Sequence, residues 1–419
     1  MLDKSATSIE SEPQEVHRRN KLQRVFRHRD FRLLWSGAFL SFIGSWIQTV
    51  AQGYLVYQLT HDKNLLGLVS FFGMLPVFFL GPIAGSLTDT LNKKALLVIC
   101  QMVFAVGALY LAAATYWNFV EYWQIVVVAL VLGVFSAIEM PARQSIVSQV
   151  VPPEDLAIAI PINGLTFNMA RLVGPAIGGL LLTAFGPASC YLINGISFSA
   201  LIFAGLAIRA DLRPTEREPQ PIWDLVVEGA LYTWRDIRLR TLLILESSVS
   251  IFGLFYLTQI PAIAEEMLGI GERLGDSYLA VGIGAVLSLI LITSMTDKPY
   301  KALSLRLAIT VVGATLLVLS QAKSVWLAYP AFIVLGFASV TIFNTCNTLF
   351  QMLSPDRLRG RVLAMHVWAL SGLGPFGIWG FGYLAQKTDL PFTLQLGGIL
   401  VLVTAVYGWA FRRGLEGVR

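Results

Sequence analysis

The chain has 419 residues, of which 55% are hydrophobic and 14% charged, and its mean hydropathy is +0.66. Soluble domains carry about 25% charged residues, so this composition excludes one and points to a chain that crosses a membrane many times. The net charge of +5 is no nucleic-acid footprint, because the excess falls in short breaks between apolar runs.

Residues 1–32 form a polar, basic N-terminal segment. Its stretch HRRNKLQRVFRHRDFR is expected to hold the N-terminus in the cytoplasm, and no signal peptide is visible. Twelve apolar runs follow, near 33–59, 64–87, 95–117, 121–147, 157–185, 188–208, 241–264, 275–296, 301–321, 324–350, 358–386 and 391–411. The spacing predicts an all-α membrane protein with 12 transmembrane helices. An even number returns the tail, 412–419, to the side of the N-terminus.

Loop charges agree with that topology. Breaks and span ends assigned to the cytoplasm carry Lys93, Lys94, Arg143, Arg209, Arg213, Arg217, Arg235, Arg238, Arg240, Lys298, Lys301, Arg357, Arg359, Arg361, Arg412 and Arg413. Those assigned outside carry only Lys63, Arg273, Lys323 and Lys387, and a Lys/Arg excess marks the cytoplasmic side. The expected location is therefore the cytoplasmic (inner) membrane, with both termini cytoplasmic. The longest break, 209–240, divides a first six-helix bundle (33–208) from a second (241–411). It opens on a Pro-containing linker and continues as IWDLVVEGALYTWRDIRLR, amphipathic at helical spacing through Ile222, Leu225, Val226, Leu231 and Trp234. A helix on the cytoplasmic membrane surface and a plain linker helix both fit that pattern.

Two loop sequences recur half a chain apart. TDTLNKKALL from Thr88 matches TDKPYKAL from Thr296, and QVVPPEDL from Gln149 matches QMLSPDRL from Gln351. Together they predict two pseudo-symmetric bundles from a duplicated unit, with a substrate site between them near the midplane. Cys100, Cys190 and Cys346 lie far apart in apolar runs, and His17, His28, His61 and His366 form no metal motif. There is no phosphate-binding loop, nucleophile elbow or HExxH, so neither an enzyme nor direct use of ATP is expected.

Several segments carry a resemblance to the major facilitator superfamily. They are RDFRLLWSGAFLSFIGSWIQTVAQGYLVYQLT in the first run, GSLTDTLNKK after the second, PARQSIVSQVVPPEDL ending the fourth and FNMARLVGPAIGG in the fifth. The likeness extends over nearly the whole chain, toward the branch that includes the enterobactin exporter and the macrolide efflux pumps. GSLTDTLNKK is similar to the superfamily's loop signature through Gly85, Leu87, Asp89, Lys93 and Lys94. Thr90 and Asn92 depart from it, where a basic residue and a glycine are usual. The resemblance implies a gating latch at Asp89, with Lys93 and Lys94 beside it; a purely topogenic role for the lysines fits as well. GPAIGG, Gly174–Gly179, matches the core of a motif associated with proton-coupled exporters. It implies a bent, tightly packed fifth helix in which Gly174, Pro175, Gly178 and Gly179 seal the cavity or hinge, and close packing alone is the other reading.

A guanidinium in mid-membrane should face protein or water. By helical spacing Arg171 shares a face with Asn163, Phe167, Gly174 and Gly178, and that face is expected to look inward. Its expected partner is Glu139 of the fourth run. A static ion pair and a cavity cation that holds an anionic group are both open. Polar stripes recur at Ser41, Ser45, Gln48 and Gln52 in the first run and at Thr341, Asn344, Asn347, Thr348 and Gln351 in the tenth. In this fold those runs usually line the cavity, so Gln48, Gln52, Glu139, Arg171, Asn344 and Asn347 are the substrate candidates. Trp46, Phe255, Tyr256 and Trp368 are aromatic candidates for stacking on a substrate. The first run holds no carboxylate, which leaves Glu139 and Glu246 as proton-coupling candidates; Glu246 is expected near the cytoplasmic end, within reach of water.

The implied function is secondary active export of a small amphiphilic compound, of the siderophore or drug/macrolide class, by alternating access and proton antiport. No cofactor is expected beyond the proton gradient. Substrate and lipids are the expected partners, without nucleic acid, and the chain is expected to act as a monomer. A lysolipid flippase, an uptake permease or a non-transporting membrane sensor are the alternatives.

Overall fold

The computed structural model describes residues 24–210, 212, 222–271, 274–294, 301–355 and 357–410. Side chains are described for all of these except 81–90, 157, 161, 165, 168, 172, 222, 223, 225 and 292–294. The readings placed on 1–23, most of the linker up to 221, and 412–419 lie outside the described residues.

The first half contains α1 (Arg29–Thr60), α2 (Lys63–Thr90), α3 (Lys93–Tyr116), α4 (Tyr122–Val150) and α5 (Pro153–Ala207). A linker helix, α6 (Ile222–Arg235), precedes α7 (Ile237–Phe252), α8 (Tyr256–Ala262), α9 (Leu274–Ser294) and α10 (Lys301–Ser320). The chain continues through α11 (Val325–Leu353), α12 (Arg359–Val367), α13 (Gly374–Lys387) and α14 (Leu390–Ala410). No strand occurs among the described residues.

Eleven helical segments are long and apolar enough to cross a membrane. One of them belongs to α5, whose 55 residues would reach about 80 Å as a straight helix, against roughly 30 Å of hydrocarbon. The backbone leaves helical geometry at Gly186, with φ 75° and ψ 175°. That positive φ suits a residue without Cβ. Two arms result, so the chain makes twelve crossings, divided where the fifth and sixth runs were separated by sequence.

Starts of the helices are written into the turns. Asp62 accepts from the Asn64 and Leu65 amides at the start of α2, and Asn92 accepts from Lys94 and Ala95 at the start of α3. Each satisfies donors that have no partner in the first helical turn. Asn92 is one of the two departures from the loop signature, and its capping bonds are the physical reason an asparagine serves there. Asp236 likewise caps α7 through Arg238 and Leu239. It thereby ends the amphipathic helix at Arg235, five residues short of the stretch expected to continue to Arg240. On α6, Glu228 pairs with Arg361 and, at 3.0 Å, with Arg357, while Gly229 lies against the backbone of Arg361. The linker helix is therefore docked on the start of α12, and it presents an exposed apolar stripe of Val227, Leu231 and Trp234.

The halves repeat one packing device. In the first, Gly133 of α4 lies against the Gly73 backbone of α2; in the second, Gly336 of α11 lies against the Val281 backbone of α9. Without Cβ atoms the helix backbones come close enough for dispersion contacts along their length. The halves differ in continuity. The seventh and eleventh runs were expected as single helices, yet α7 and α8 are separated at Gly253–Phe255, and a π-helical turn, Trp368–Gly372, separates α12 from α13. These two irregularities touch: Ser250 Oγ donates to the Leu370 carbonyl at 2.8 Å, and Gly377 lies on the Ile251 backbone. The Leu370 carbonyl in the π turn thus finds a donor in the other interrupted span.

Between the halves, α5 meets α9 at Gly179 and Gly275, and α2 meets α13 at Gly67 and Ile378–Trp379. Phe71 of α2 packs on Phe376 and Trp379, with centroids 5.2 and 5.3 Å apart. The face bearing residues 24 and 410 is termed the terminal face. At the opposite, far face, Lys63 binds both Glu266 carboxylate oxygens at 2.9 Å, and Tyr57 Oη donates to the same group at 2.6 Å. The Gln259 side chain also donates to the Lys63 carbonyl at 3.1 Å. The halves are thus closed toward the far face. Toward the terminal face, a Cβ added at Gly164 of α5 would meet open space.

On the terminal face the first bundle is tied by charges on helix ends. Lys94 Nζ donates to the carbonyls of Leu206 and Ile208, at 2.9 and 3.0 Å, and Asp30 accepts from the Arg209 and Ala210 amides at 2.9 Å. Asp155, in the first turn of α5, accepts from His28 and pairs with Arg24, both at 2.8 Å. The His28 hydrogen bond, with Arg24 beside it, holds the Asp155 carboxyl below the usual carboxylate range.

Two outcomes are expected. Gly179→Val should wedge the far-face closure apart at Gly275, so that a cysteine placed at the buried Ile263 reacts faster with a water-soluble maleimide; equal labelling rates would refute the wedge. Because the folded Asp155 value is depressed, its stabilisation is complete above about pH 3.9, the unfolded value, and is lost as pH falls through the folded value. Asp155→Asn should therefore be less stable than the parent at neutral pH and lose less stability on acidification. Parallel acid profiles for the two proteins would count against this.

Candidate functional site

Arg171 stands on α5 roughly 21 Å from the terminal-face boundary of its span. A guanidinium at such depth costs about 2.5–3.5 kcal/mol. Its guanidinium carbon lies 4.2 Å from the ring centroid of Phe343, on α11 of the other half, and 5.9 Å from that of Trp46 on α1. The second distance is close to the limit of about 6 Å for a cation–π contact, and a desolvated contact contributes about 2 kcal/mol. The aromatic faces thus offset only part of the cost. No carboxylate pairs with Arg171 among the described residues.

The pairing expected with Glu139 is therefore corrected. Glu139 is buried and is held by Arg143, one turn along α4, with Nε to Oε1 at 3.0 Å. Gln101 of α3 donates to the same oxygen at 3.4 Å. Arg143, counted by sequence among the cytoplasmic loop charges, is itself buried, reaches Asn163 at 3.5 Å and lies 4.5 Å over the Phe42 ring. An i, i+4 partner on the same helix needs no side chain to bridge two depths, and it takes the carboxylate that Arg171 was expected to use.

The other polar candidates separate into two groups. Gln48 is buried inside the first bundle, accepting from Asn194 of α5 at 2.6 Å, and Ser41 donates to Gln101 at 3.3 Å. Both tie helices together, so the structure removes Gln48 from the cavity surface. Thr341 does the same in the second bundle, 2.8 Å from Ser288 of α9. Gln52, Asn344, Asn347 and Thr348 stay partly exposed, and Gln351, which donates to Asn347 at 2.6 Å, is exposed. Phe255 stacks on Phe381 inside the second bundle, and Trp368 lies 5.8 Å from Phe78 across the halves.

The glycine segment also divides. Gly174 and Gly178 lie on α1, against Trp46 and Ile47, whereas Gly179 meets Gly275 of the other half. The expected common inward face of Arg171 with Gly174 and Gly178 is thus corrected: those glycines pack within their own bundle while Arg171 reaches across to Phe343. Backbone geometry stays helical from Gly174 through Pro175 to Gly179, and the non-helical residue is Gly186. Of the latch candidates, Lys93 is fully buried and Lys94 closes the end of the second α5 arm; the Asp89 side chain lies outside the described residues.

Glu246 is where the expectation of a solvated carboxylate fails. It is 1% exposed, and its Oε2 is 2.8 Å from Nδ1 of His366 on α12, itself 6% exposed. The other oxygen, Oε1, has no hydrogen-bond partner. His366 rests against the Phe350 ring at 5.4 Å. His366 lies two residues before the π turn, and Glu246 lies about two helical turns before Gly253, with Ser250 one turn along from it. Nothing in the sequence joined these two residues, which are far apart in the chain; a titratable residue in an apolar run was the signal available for each.

Comparison with known proteins follows from this geometry. Residues 24–414 match the family model described as transmembrane secretion effector. The chain is 22% identical to the staphyloferrin A transporter of Staphylococcus aureus, over 91% of this chain and 96% of that one. It is 24% identical to the multidrug efflux pump Tap of Mycolicibacterium fortuitum, over 90% and 94%. Its fold is similar to that of the nucleoside transporter NupG, with TM-score 0.72 and 14% identity over 92% of this chain and 99% of the other. It is also similar to a bacterial homologue of the human lysosomal transporter Spinster, with TM-score 0.71 and 13% identity over 94% and 98%. With a match this extensive and two six-crossing bundles around a midplane site, the chain belongs to the transmembrane secretion effector family of the major facilitator superfamily of membrane transporters.

Proposed function

We propose that the chain is a secondary active transporter that exports a small amphiphilic compound, of the siderophore or drug/macrolide class, across the cytoplasmic membrane by alternating access and proton antiport. The terminal face is assigned to the cytoplasm on the Lys/Arg bias of its loops. The halves joined at Lys63 and Glu266 on the far face support a form that accepts substrate from the terminal side. The staphyloferrin A transporter and the Tap efflux pump support the substrate range. In this reading Gln52, Arg171, Asn344 and Asn347 face the substrate, Asp89 with Lys93 and Lys94 gates the cytoplasmic side, and Gly179 with Gly275 seals the outer one. The chain acts alone, with the proton gradient as its energy source.

The observation that carries the coupling is the buried Glu246–His366 pair. A carboxylate and an imidazole in contact hold one proton between them as a net-neutral unit; gain or loss of a proton leaves a net charge in a region of low dielectric. That charge develops beside the interruptions in the seventh and eleventh spans, where Ser250 and Leu370 join them. The eleventh span is also the one whose α13 packs on α2 of the other half. Glu139, held by Arg143 and Gln101, is the second candidate.

In proteoliposomes, uphill export driven by an imposed proton gradient should be abolished by an uncoupler. Glu246→Gln should lose most gradient-driven export while keeping downhill exchange of substrate. Export that ignores the uncoupler removes proton coupling, whereas uncoupler-sensitive export by Glu246→Gln at the parental rate transfers the coupling to Glu139.

A further inference from the structure

A half-buried guanidinium and two buried hydroxyls converge where the bundles meet. Arg171 comes from α5 of the first bundle and has aromatic faces for neighbours but no carboxylate among the described residues. From the second bundle, the hydroxyl of Tyr256 on α8 interacts electrostatically with Arg171, and Tyr256 is 0% exposed. Ser339 of α11 neighbours that hydroxyl. Beyond each other, neither Tyr256 Oη nor Ser339 Oγ has a hydrogen-bond partner.

The charge inventory gives these donors a meaning. Glu139 is matched by Arg143, and Glu246 is matched by His366. Arg306 is a further buried cation, but it lies near the start of α10 against Trp409 of α14, within the second bundle. Lys63, at the far face, is matched by Glu266, so Arg171 is the cation between the halves that has hydroxyls rather than a carboxylate beside it among the described residues. A guanidinium without a counter-charge is poorly suited to a cationic guest. It matches an oxyanion, whose oxygens accept from the guanidinium fork and from the hydroxyls together. Apolar surface lies beside it: Trp46 and the exposed Phe167 are 6.2 Å apart between ring centroids, and Phe343 lies on the facing helix.

We propose that Arg171, Tyr256 and Ser339 form an oxyanion site shared by the two bundles, and that the transported compound carries a carboxylate or phosphate group on an apolar, ring-containing body. This rests on the reading above that substrate passes between the halves, and it narrows the substrate class within it. Because the donors come from both halves, a bound anion draws them together.

The test uses the purified full-length protein in detergent, with four probes that share one ring system: 2-naphthoate, 2-naphthyl phosphate, 2-naphthamide and a 2-naphthylmethylammonium salt. Equilibrium binding and thermal unfolding are read for each. Naphthoate or naphthyl phosphate should bind and raise the unfolding temperature in a concentration-dependent way, and the stronger of the two identifies the group. The amide and the ammonium salt should bind about tenfold more weakly or not at all, as expected for loss of one charge-assisted hydrogen bond. Arg171→Gln should erase the preference for the anions, Arg171→Lys should keep part of it, and Tyr256→Phe should weaken anion binding without changing binding of the amide. Equal binding of all four probes, binding of none, or an anion preference that survives Arg171→Gln overturns the proposal. Should Arg171→Gln not fold, the charge series on the parent and on Tyr256→Phe decides alone. Anion binding that persists in a protein shown not to export would overturn the export reading and leave this site standing.

Discussion

A charge inside a bilayer needs a partner, and the interior of this protein is arranged by how that need is met. Arg143 takes Glu139 within one helix, His366 takes Glu246 between two helices, and Arg306 lies against an indole. Each of these arrangements stays within a single bundle. Arg171 reaches between bundles, as Lys63 does at the far face, but without a carboxylate among the described residues; aromatic rings offset only part of its desolvation. Local pairing lets each bundle behave as a unit, while the incompletely matched cation sits where the units meet.

The same contrast appears in the backbone. The first bundle is built of long helices, and inside α5 the residue that leaves helical geometry is Gly186. In the second, the seventh and eleventh spans are both interrupted, and Ser250 and Leu370 supply a hydrogen bond between them. Interrupted helices can change direction at lower cost than continuous ones, because fewer intrahelical bonds have to break. A buried Glu–His pair within about two turns of both interruptions places a titratable unit close to them. Glycine contacts such as Gly133 on Gly73 and Gly336 on Val281 hold the remainder of each bundle close.

Much of this was legible in the chain. The run lengths gave the crossings, even where one helix of 55 residues spans two of them, because a bilayer sets the length of any apolar helix. The loop repeats foretold paired halves, and the matching glycine contacts fall at corresponding places in each. Among site residues the record is divided. Arg171 lies against Phe343 of the other half, whereas Glu139 was given to the wrong arginine, Gln48 was read as a cavity residue, and His366 was passed over. Helical spacing orders the faces of one helix; it does not say which face meets which neighbour.

The sequence by itself determined the membrane class, the twelve crossings, the duplication and the presence of rare polar groups at depth. These depend on composition and on periods of a few residues, and every such quantity is local. Only the tertiary structure decided that Arg143 claims Glu139, that Glu246 meets His366, that Gly179 rather than Gly174 touches the other half, and that two spans are broken. Those outcomes turn on helix rotation and on pairings between segments far apart in the chain. A rotation of one residue, about 100°, exchanges a lipid-facing side chain for a buried one, and no local pattern fixes it.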